Sequence, residues 1–270
     1  MADPTFRQQR LGEALQLLRE RAGMSQQQVA DRLLYNVPKV SRIENGQLPD
    51  IHALRAMLDL YGVIGDEEQP YIEMWELAKE KGWWRAFGID VQGYISLEHD
   101  ASRVREFQLG FIPGQVQTVR TMRSVFAGTT IQRSKKWIEN EIAIRQRRQQ
   151  RLVGDNPLEY HAIIAESVVR NSDREQLLHL LDVGRLPNVT IQVLLESAGS
   201  QDGQFGSFAL LDLPFAGDPK VLYIEHMAGS IHIEDPERVK TANLVFKHLS
   251  KLAMSHEESA AWIERLAAER

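Results

Sequence analysis

Lys39 and Arg42 stand three residues apart in the stretch YNVPKVSRIENGQ, residues 35–47, with Ser41 between them. On a helix that spacing puts both cations on one face. An ammonium and a guanidinium are donors only, so they fit an array of acceptors such as phosphate oxygens or base edges. Gln26 and Gln27, upstream, open another helix, where side chains and first-turn amides can meet a phosphate.

The stretch itself is punctuated as a short helix. Asn36 can cap it, and Pro38 falls early enough that its missing N–H costs nothing. Val40 and Ile43 form an apolar face, and Asn45 and Gly46 can take left-handed backbone and end the helix. Two or so turns are not stable alone, so other helices must fix this one from behind while Lys39, Ser41 and Arg42 look outward. Those helices are legible. Residues 6–21 repeat Leu11, Leu15 and Leu18, with Gly23 closing the helix. SQQQVADRLL begins with Ser25 and Gln28, a reciprocal capping box, and carries Val29, Ala30 and Leu33 as a buried stripe. Asp50 caps IHALRAMLDLYG, whose Leu54, Met57, Leu58 and Tyr61 share a face. A pair of helices joined by a tight turn, the second with a polar outer face, is a helix-turn-helix, which presents its second helix to the major groove of DNA. A helix of a bundle that binds nothing has the same local pattern.

Composition permits this reading without demanding it. The 270 residues, 43% hydrophobic and 26% charged, suit a small globular domain plus a larger one. The absence of cysteine excludes disulfides and thiolate metal sites and fits a cytoplasmic protein. MADPTFRQQRLGEAL lacks the apolar core of a signal peptide, and no apolar run approaches ~20 residues, so no membrane partner is expected. Net charge is −5; residues 1–62 hold eight Arg/Lys against seven Asp/Glu, a local +1 that leaves −6 for the rest. Any DNA-binding surface must therefore gather its cations on one side.

Further along, DEEQPYIEMWELAKEKG (66–82) reads as a helix capped by Asp66, and GWWRAF as aromatic packing at a domain junction. Helices are predicted at about 115–127, 131–152, 173–183, 236–253 and 256–269, and strands at 103–108, 158–164, 188–195, 206–213, 220–226 and 230–234, the last two as a hairpin. The expected fold is an all-α N-terminal helix-turn-helix domain plus a larger α+β C-terminal domain with a mixed or largely antiparallel sheet. The expected division is 1–65 for DNA binding, 66–90 for a linker helix and aromatic junction, and 91–270 for partner or effector binding.

Other candidate chemistry is weaker. His226 and His232 flank the hairpin near Glu225 and Glu234, but no zinc-type spacing is present and no metal site is expected. EHD at 98–100 reads as solvated or capping, and glycines 199, 203 and 206 as a loop between strands, with the rim of a ligand pocket as the alternative. No nucleophile elbow or catalytic constellation appears, so no catalytic residue or cofactor is assigned. RSKKWIENEIAIRQRRQQR (133–151) carries seven Arg/Lys against two Glu. A solvated basic face is the bland explanation; an acidic partner protein meeting Arg145, Arg147 and Arg148, or supplementary phosphate contacts, are the alternatives.

SQQQVADRLLYNVPKVSRIENG resembles the helix-turn-helix of the phage-repressor and Cro (Xre-type) class. The resemblance implies that Gln26 holds a phosphate, that Val37, Pro38, Lys39 and Arg42 face bases, that Asn45 touches the DNA backbone, and that Arg19 pairs with Glu44 inside the bundle. Two departures stand out: the class often has glycine where Leu34 stands, and Ser or Gln where Val37–Pro38 stands. Readout would then lean on Lys39 and Arg42, with apolar contact from Val37 to a thymine methyl. LYGV, EKGWW, LEHDASRVREFQLGFIPGQVQT, IRQRRQQRL, LPNVTIQVL and IEDPE resemble the WhiJ-like actinomycete regulators with an Scr1-type, antitoxin-like C-terminal domain. This implies a transcription regulator paired with a small partner protein encoded nearby. The leading expectation is a non-enzymatic, sequence-specific regulator binding a double-stranded operator as a homodimer. The alternative is an antitoxin-like interaction protein that neutralises its partner and binds DNA for autoregulation.

Overall fold

The computed structural model describes residues 4–80, 82–87, 94–213 and 220–270. The chain separates into two compact units between Ser96 and Leu97.

The first unit is helical: α1 (Phe6–Arg21), α2 (Gln26–Leu33), α3 (Val37–Glu44), α4 (Ile51–Leu60) and α5 (Gln69–Lys79), with the short α6 (Tyr94–Asp100) running across the division. Each of the first four starts at a side chain that accepts from the first turn: Thr5, Ser25, Asn36 and Asp50. Thr5 and Ser25 form full capping boxes with Gln8 and Gln28. Leu11, Leu15, Val29, Val40, Ile43, Leu54, Met57 and Leu58 interlock as one core. The segment expected as a linker adds Trp75 and Ala78 to that core, and the Trp75 indole donates to Pro49 O at 2.8 Å. Asp66 does not cap α5. It lies in a 3-10 turn at Gly65–Glu68, and Pro70, which needs no N–H partner, opens the helix instead.

The second unit holds one six-stranded sheet of order β3-β2-β1-β4-β5-β6. The strands are β1 (Arg103–Gln108), β2 (Glu159–Ala165), β3 (Val189–Leu194), β4 (Phe208–Asp212), β5 (Lys220–His226) and β6 (Gly229–Ile233). β1, β2 and β3 are parallel and joined by helical crossovers, α7 (Val119–Ala127) with α8 (Lys135–Gln149), then α9 (Glu166–Arg170) with α10 (Arg174–Gly184). The other half is an antiparallel meander ending in the hairpin of β5 and β6. The sheet is therefore mixed. β2 and β3 are buried almost throughout, as parallel strands covered on both faces must be. α11 (Pro236–Leu252) lays Val239, Phe246 and Leu249 against Phe107, Ile163, Leu210 and Leu222, and α12 (His256–Ala268) packs on α10 and β3.

Alternation along β1 assigns its two faces. Arg105 and Phe107 point toward α11, where Arg105 donates to Asn243 at 2.6 Å and to Asp212 at 2.9 Å. Glu106 points the other way, accepting from the Tyr160 hydroxyl at 2.5 Å and from Gln108 at 2.6 Å. Its burial pushes its carboxyl above the usual 4.5, against the pull of those two hydrogen bonds.

Candidate nucleic-acid interface

α3 is held by a charged knot beneath it. Arg19, on α1, is 8% exposed and Glu44, at the end of α3, is 5% exposed. Their side chains pair through two hydrogen bonds, Nε to Oε1 at 2.6 Å and Nη2 to Oε2 at 3.0 Å. Arg19 Nη1 also donates to Met24 O at 2.8 Å, just before α2. Gln26 Nε2 donates to Glu44 Oε2 at 2.7 Å. One carboxylate thus ties α1, α2 and α3 together, and its hydrogen bond holds the Arg19 proton more firmly than usual. The energetic worth of such a pair lies in fixing geometry, because desolvation offsets much of its attraction.

Close backbone approach completes the fixation. A Cβ on Gly12 would lie 2.5 Å from Glu44 O and 2.7 Å from Ile43 O, so α1 and the end of α3 touch where only glycine fits. The turn from α2 to α3 runs through Leu34, whose backbone is left-handed at φ 56 and whose side chain is 93% exposed. α3 ends on Asn45, which stays right-handed (φ −93, ψ 21), and the left-handed turn belongs to Gly46 alone at φ 93.

On the outward side, Lys39 Nζ sits 3.5 Å from the centroid of the Tyr35 ring, a cation–π contact. Arg42 is exposed and its Nε donates to Gln47 at 2.9 Å. Asn45 is exposed and donates to Ser41 O at 2.7 Å. Gln27 is exposed and donates to Asp31 at 2.8 Å, while Gln26 is half-buried by its bond to Glu44. Pro38 is exposed. Val37, to which the resemblance gives a base-facing role, is half-buried and packs against the bundle core. Its apolar side chain gains more from that core than from water. Arg42, Asn45, Gln27 and Pro38 are exposed beside the half-buried Lys39, a surface whose polar groups are Lys39, Arg42, Asn45 and Gln27.

The basic segment of the second unit is not the uniform exposed face that its charge count suggested. Arg148, on α8, forms a bidentate pair with Glu98, Nε to Oε1 at 2.7 Å and Nη2 to Oε2 at 2.6 Å. Glu98 is 0% exposed, which corrects the reading of that residue as solvated or capping, while His99 and Asp100 are half-exposed. Arg151 donates to Glu98 O and Ala101 O. Arg145 is half-buried beside Gln117 and over the Phe126 ring. Of the three arginines assigned to a partner surface, only Arg147 is exposed. The physical reason is that Glu98 is buried and needs a cation, a demand that lies outside the helix and is invisible to a count along it. Among the described residues, no group of three His, Asp or Glu side chains is arranged to hold a metal ion, and no helix is long and apolar enough to cross a membrane.

A family model described as a helix-turn-helix domain matches residues 10–70. A second, described as Domain of unknown function (DUF5753), matches residues 91–265. No curated protein and no solved structure matches the chain. The first unit is thus a helix-turn-helix domain, with α2 and α3 as its two eponymous helices. Because the second match spans more than half of the chain, the protein belongs to the DUF5753 family, carrying a helix-turn-helix domain ahead of that region.

Proposed function

We propose that the protein is a sequence-specific DNA-binding transcription regulator that performs no catalysis, and that its second unit responds to a partner protein or effector. The observation that carries this is the Glu44 knot. A helix of only eight residues is locked to two others through one carboxylate, leaving Lys39, Arg42 and Asn45 outward beside the start of α2. In this reading Lys39 and Arg42 exchange their contacts with Tyr35 and Gln47 for base edges and phosphates. Glu44 keeps the Gln26 amide in place, and its remaining N–H meets a phosphate. A homodimer on a two-fold site is the proposed assembly, since one such helix covers few base pairs. The sequence blocks shared with WhiJ-like regulators support a partner-linked role for the second unit.

The test is selection of binding sites from random duplexes with the full chain, followed by titration of the selected site. Lys39→Ala with Arg42→Ala should lose ~1–3 kcal/mol per good base contact and relax the selected sequence. Normal protection of the selected site by that double variant would remove α3 from the interface.

A further inference from the structure

Arg145 is a half-buried guanidinium that no carboxylate among the described residues pairs with. Among the described residues it forms no ion pair; its Nη1 reaches Gln117 Oε1 at 3.4 Å, and its buried Nε has no hydrogen-bond partner. The Phe126 ring lies under it, 5.4 Å from centroid to guanidinium carbon. Arg148 stands beside it. A Cβ on Gly114 would lie 3.0 Å from Arg145 Nη1 and 3.6 Å from each terminal nitrogen of Arg148, so both guanidinium groups converge over this one glycine. Glu98 answers Arg148, whereas Glu141 and Glu225 act on Arg145 only from beyond ion-pair distance. Burial and the neighbouring Arg148 both press the Arg145 pKa down, yet a guanidinium does not give up its proton in a protein. The next residue on the same turn, Gln115, is 1% exposed, and neither its amide nitrogen nor its amide oxygen has a hydrogen-bond partner. Buried amides are almost always satisfied, so an unmatched donor and acceptor one residue along from the glycine on which the two guanidinium groups converge is an unusual combination.

We propose that Arg145, Arg148 and Gln115 form the binding site of a small organic carboxylate that also carries a group able both to donate and to accept, such as a hydroxyl. One guanidinium lacks a counter-charge among the described residues, so the site calls for one negative charge. A phosphate dianion would bring a second against Glu98 and Glu141. An extended acidic protein surface is a poorer fit, because only Arg147 of the three neighbouring arginines stands out in solvent. Gly114 keeps the space over the two guanidinium groups free of a side chain. That the ligand acts as an effector rests on the regulatory reading above; its binding does not.

The experiment uses the full chain without DNA, so its failure is separate from failure of DNA binding. Lactate, propionate and methyl phosphate are added as sodium salts at matched ionic strength against sodium chloride, with saturation-transfer NMR on the probes and calorimetric melting of the protein. Lactate should show saturation transfer and raise the melting temperature above the chloride control, propionate less so, and methyl phosphate not at all. Arg145→Met should abolish the lactate response without lowering the melting temperature of the probe-free protein, because an unpaired enclosed charge gives way to an apolar chain of similar length. Gly114→Ala, whose new methyl meets only movable guanidinium ends, should weaken the response while the fold is kept. Arg147→Gln should leave it unchanged. The proposal is overturned if Arg145→Met retains the lactate response, if methyl phosphate outperforms lactate, or if lactate and chloride act alike.

Discussion

Gly12→Ala is the sharpest probe of how α3 is held, because two general expectations oppose each other there. In a helix interior, replacing glycine by alanine ordinarily gains about 1 kcal/mol, since glycine gives up more backbone freedom on folding. Gly12 lies inside α1, so propensity alone argues for a more stable variant. Packing argues the reverse. The new methyl would lie 2.5 Å from Glu44 O, 2.7 Å from Ile43 O and 2.9 Å from Glu44 C, all of them backbone atoms at the end of α3. Ordinary carbon–oxygen contacts fall near 3.3–3.6 Å, so the end of α3 must retreat by roughly an ångström. Overpacking of this kind costs ~1–3 kcal/mol. The retreat also drags the backbone that carries the Glu44 carboxylate, whose bonds to Arg19 at 2.6 and 3.0 Å have little slack. The net expectation is a loss of about 1–2 kcal/mol, or several degrees in the melting of the helical unit. Scanning calorimetry of the full chain gives the sign, and titration of a selected duplex gives the functional consequence, a weaker complex with no charge removed. A variant that melts higher than the parent and binds DNA as well would refute the claim that this contact positions α3.

Leu34→Gly should raise the melting temperature of the same unit: it relieves a left-handed residue at φ 56, worth ~1–2 kcal/mol, gives up little packing at 93% exposure, and loses part of the gain to the entropy of the unfolded chain. Gln26→Ala should weaken binding about equally for selected and random duplexes, because a phosphate carries no base identity; a change in the selected sequence would contradict that role. Glu106→Gln should flatten the pH dependence of the second unit's melting. Above the usual 4.5 the folded carboxyl keeps a proton that the unfolded chain has released, so the parent loses stability as pH rises from there toward the raised folded pKa. An equally steep pH profile in the variant would place the titration elsewhere, for instance at Glu141, which burial also pushes up.

Much of the fold was legible because its local and global signals agree. Ser25 with Gln28, and Asn36 before Pro38, mark helix starts that the structure keeps, and Gly23 closes α1 with φ 68. All six strands among the described residues were found, since short apolar or alternating runs between turn-forming residues mark strands. The mixed character of the sheet could not be read so directly. Strand pairing depends on which crossover returns to which edge, and only the hairpin of β5 and β6 is local. α6 and α9, seven and five residues long, escaped because so few turns show no periodicity. The Asp66 cap failed for a different reason: an aspartate before a polar run is a good cap in isolation, but Pro70 sets where the helix begins.

The two charged sites show where reasoning along the chain stops. Arg19 and Glu44 are 25 residues apart, and nothing in their spacing joins them; only resemblance to a known helix-turn-helix pattern suggested the pair. Glu98 and Arg148 are 50 apart, and nothing along the chain joined a glutamate read as solvated or capping to an arginine read as solvated or partner-facing. Yet the two pairs are built alike, an arginine fork on a carboxylate that is almost wholly buried. A buried pair of this kind adds little stability over apolar packing, while removal of one partner strands the other. Such pairs therefore act as locks on arrangement. In the first unit the lock holds a helix whose outer surface faces solvent. In the second it holds Arg148 beside Arg145, which has no such carboxylate among the described residues. If the parallel is sound, Glu98→Gln should disturb the response to lactate as strongly as Glu44→Gln disturbs DNA binding, each through the neighbour that the carboxylate positions. A Glu98→Gln variant that melts lower yet keeps its full lactate response would reduce the second pair to packing alone.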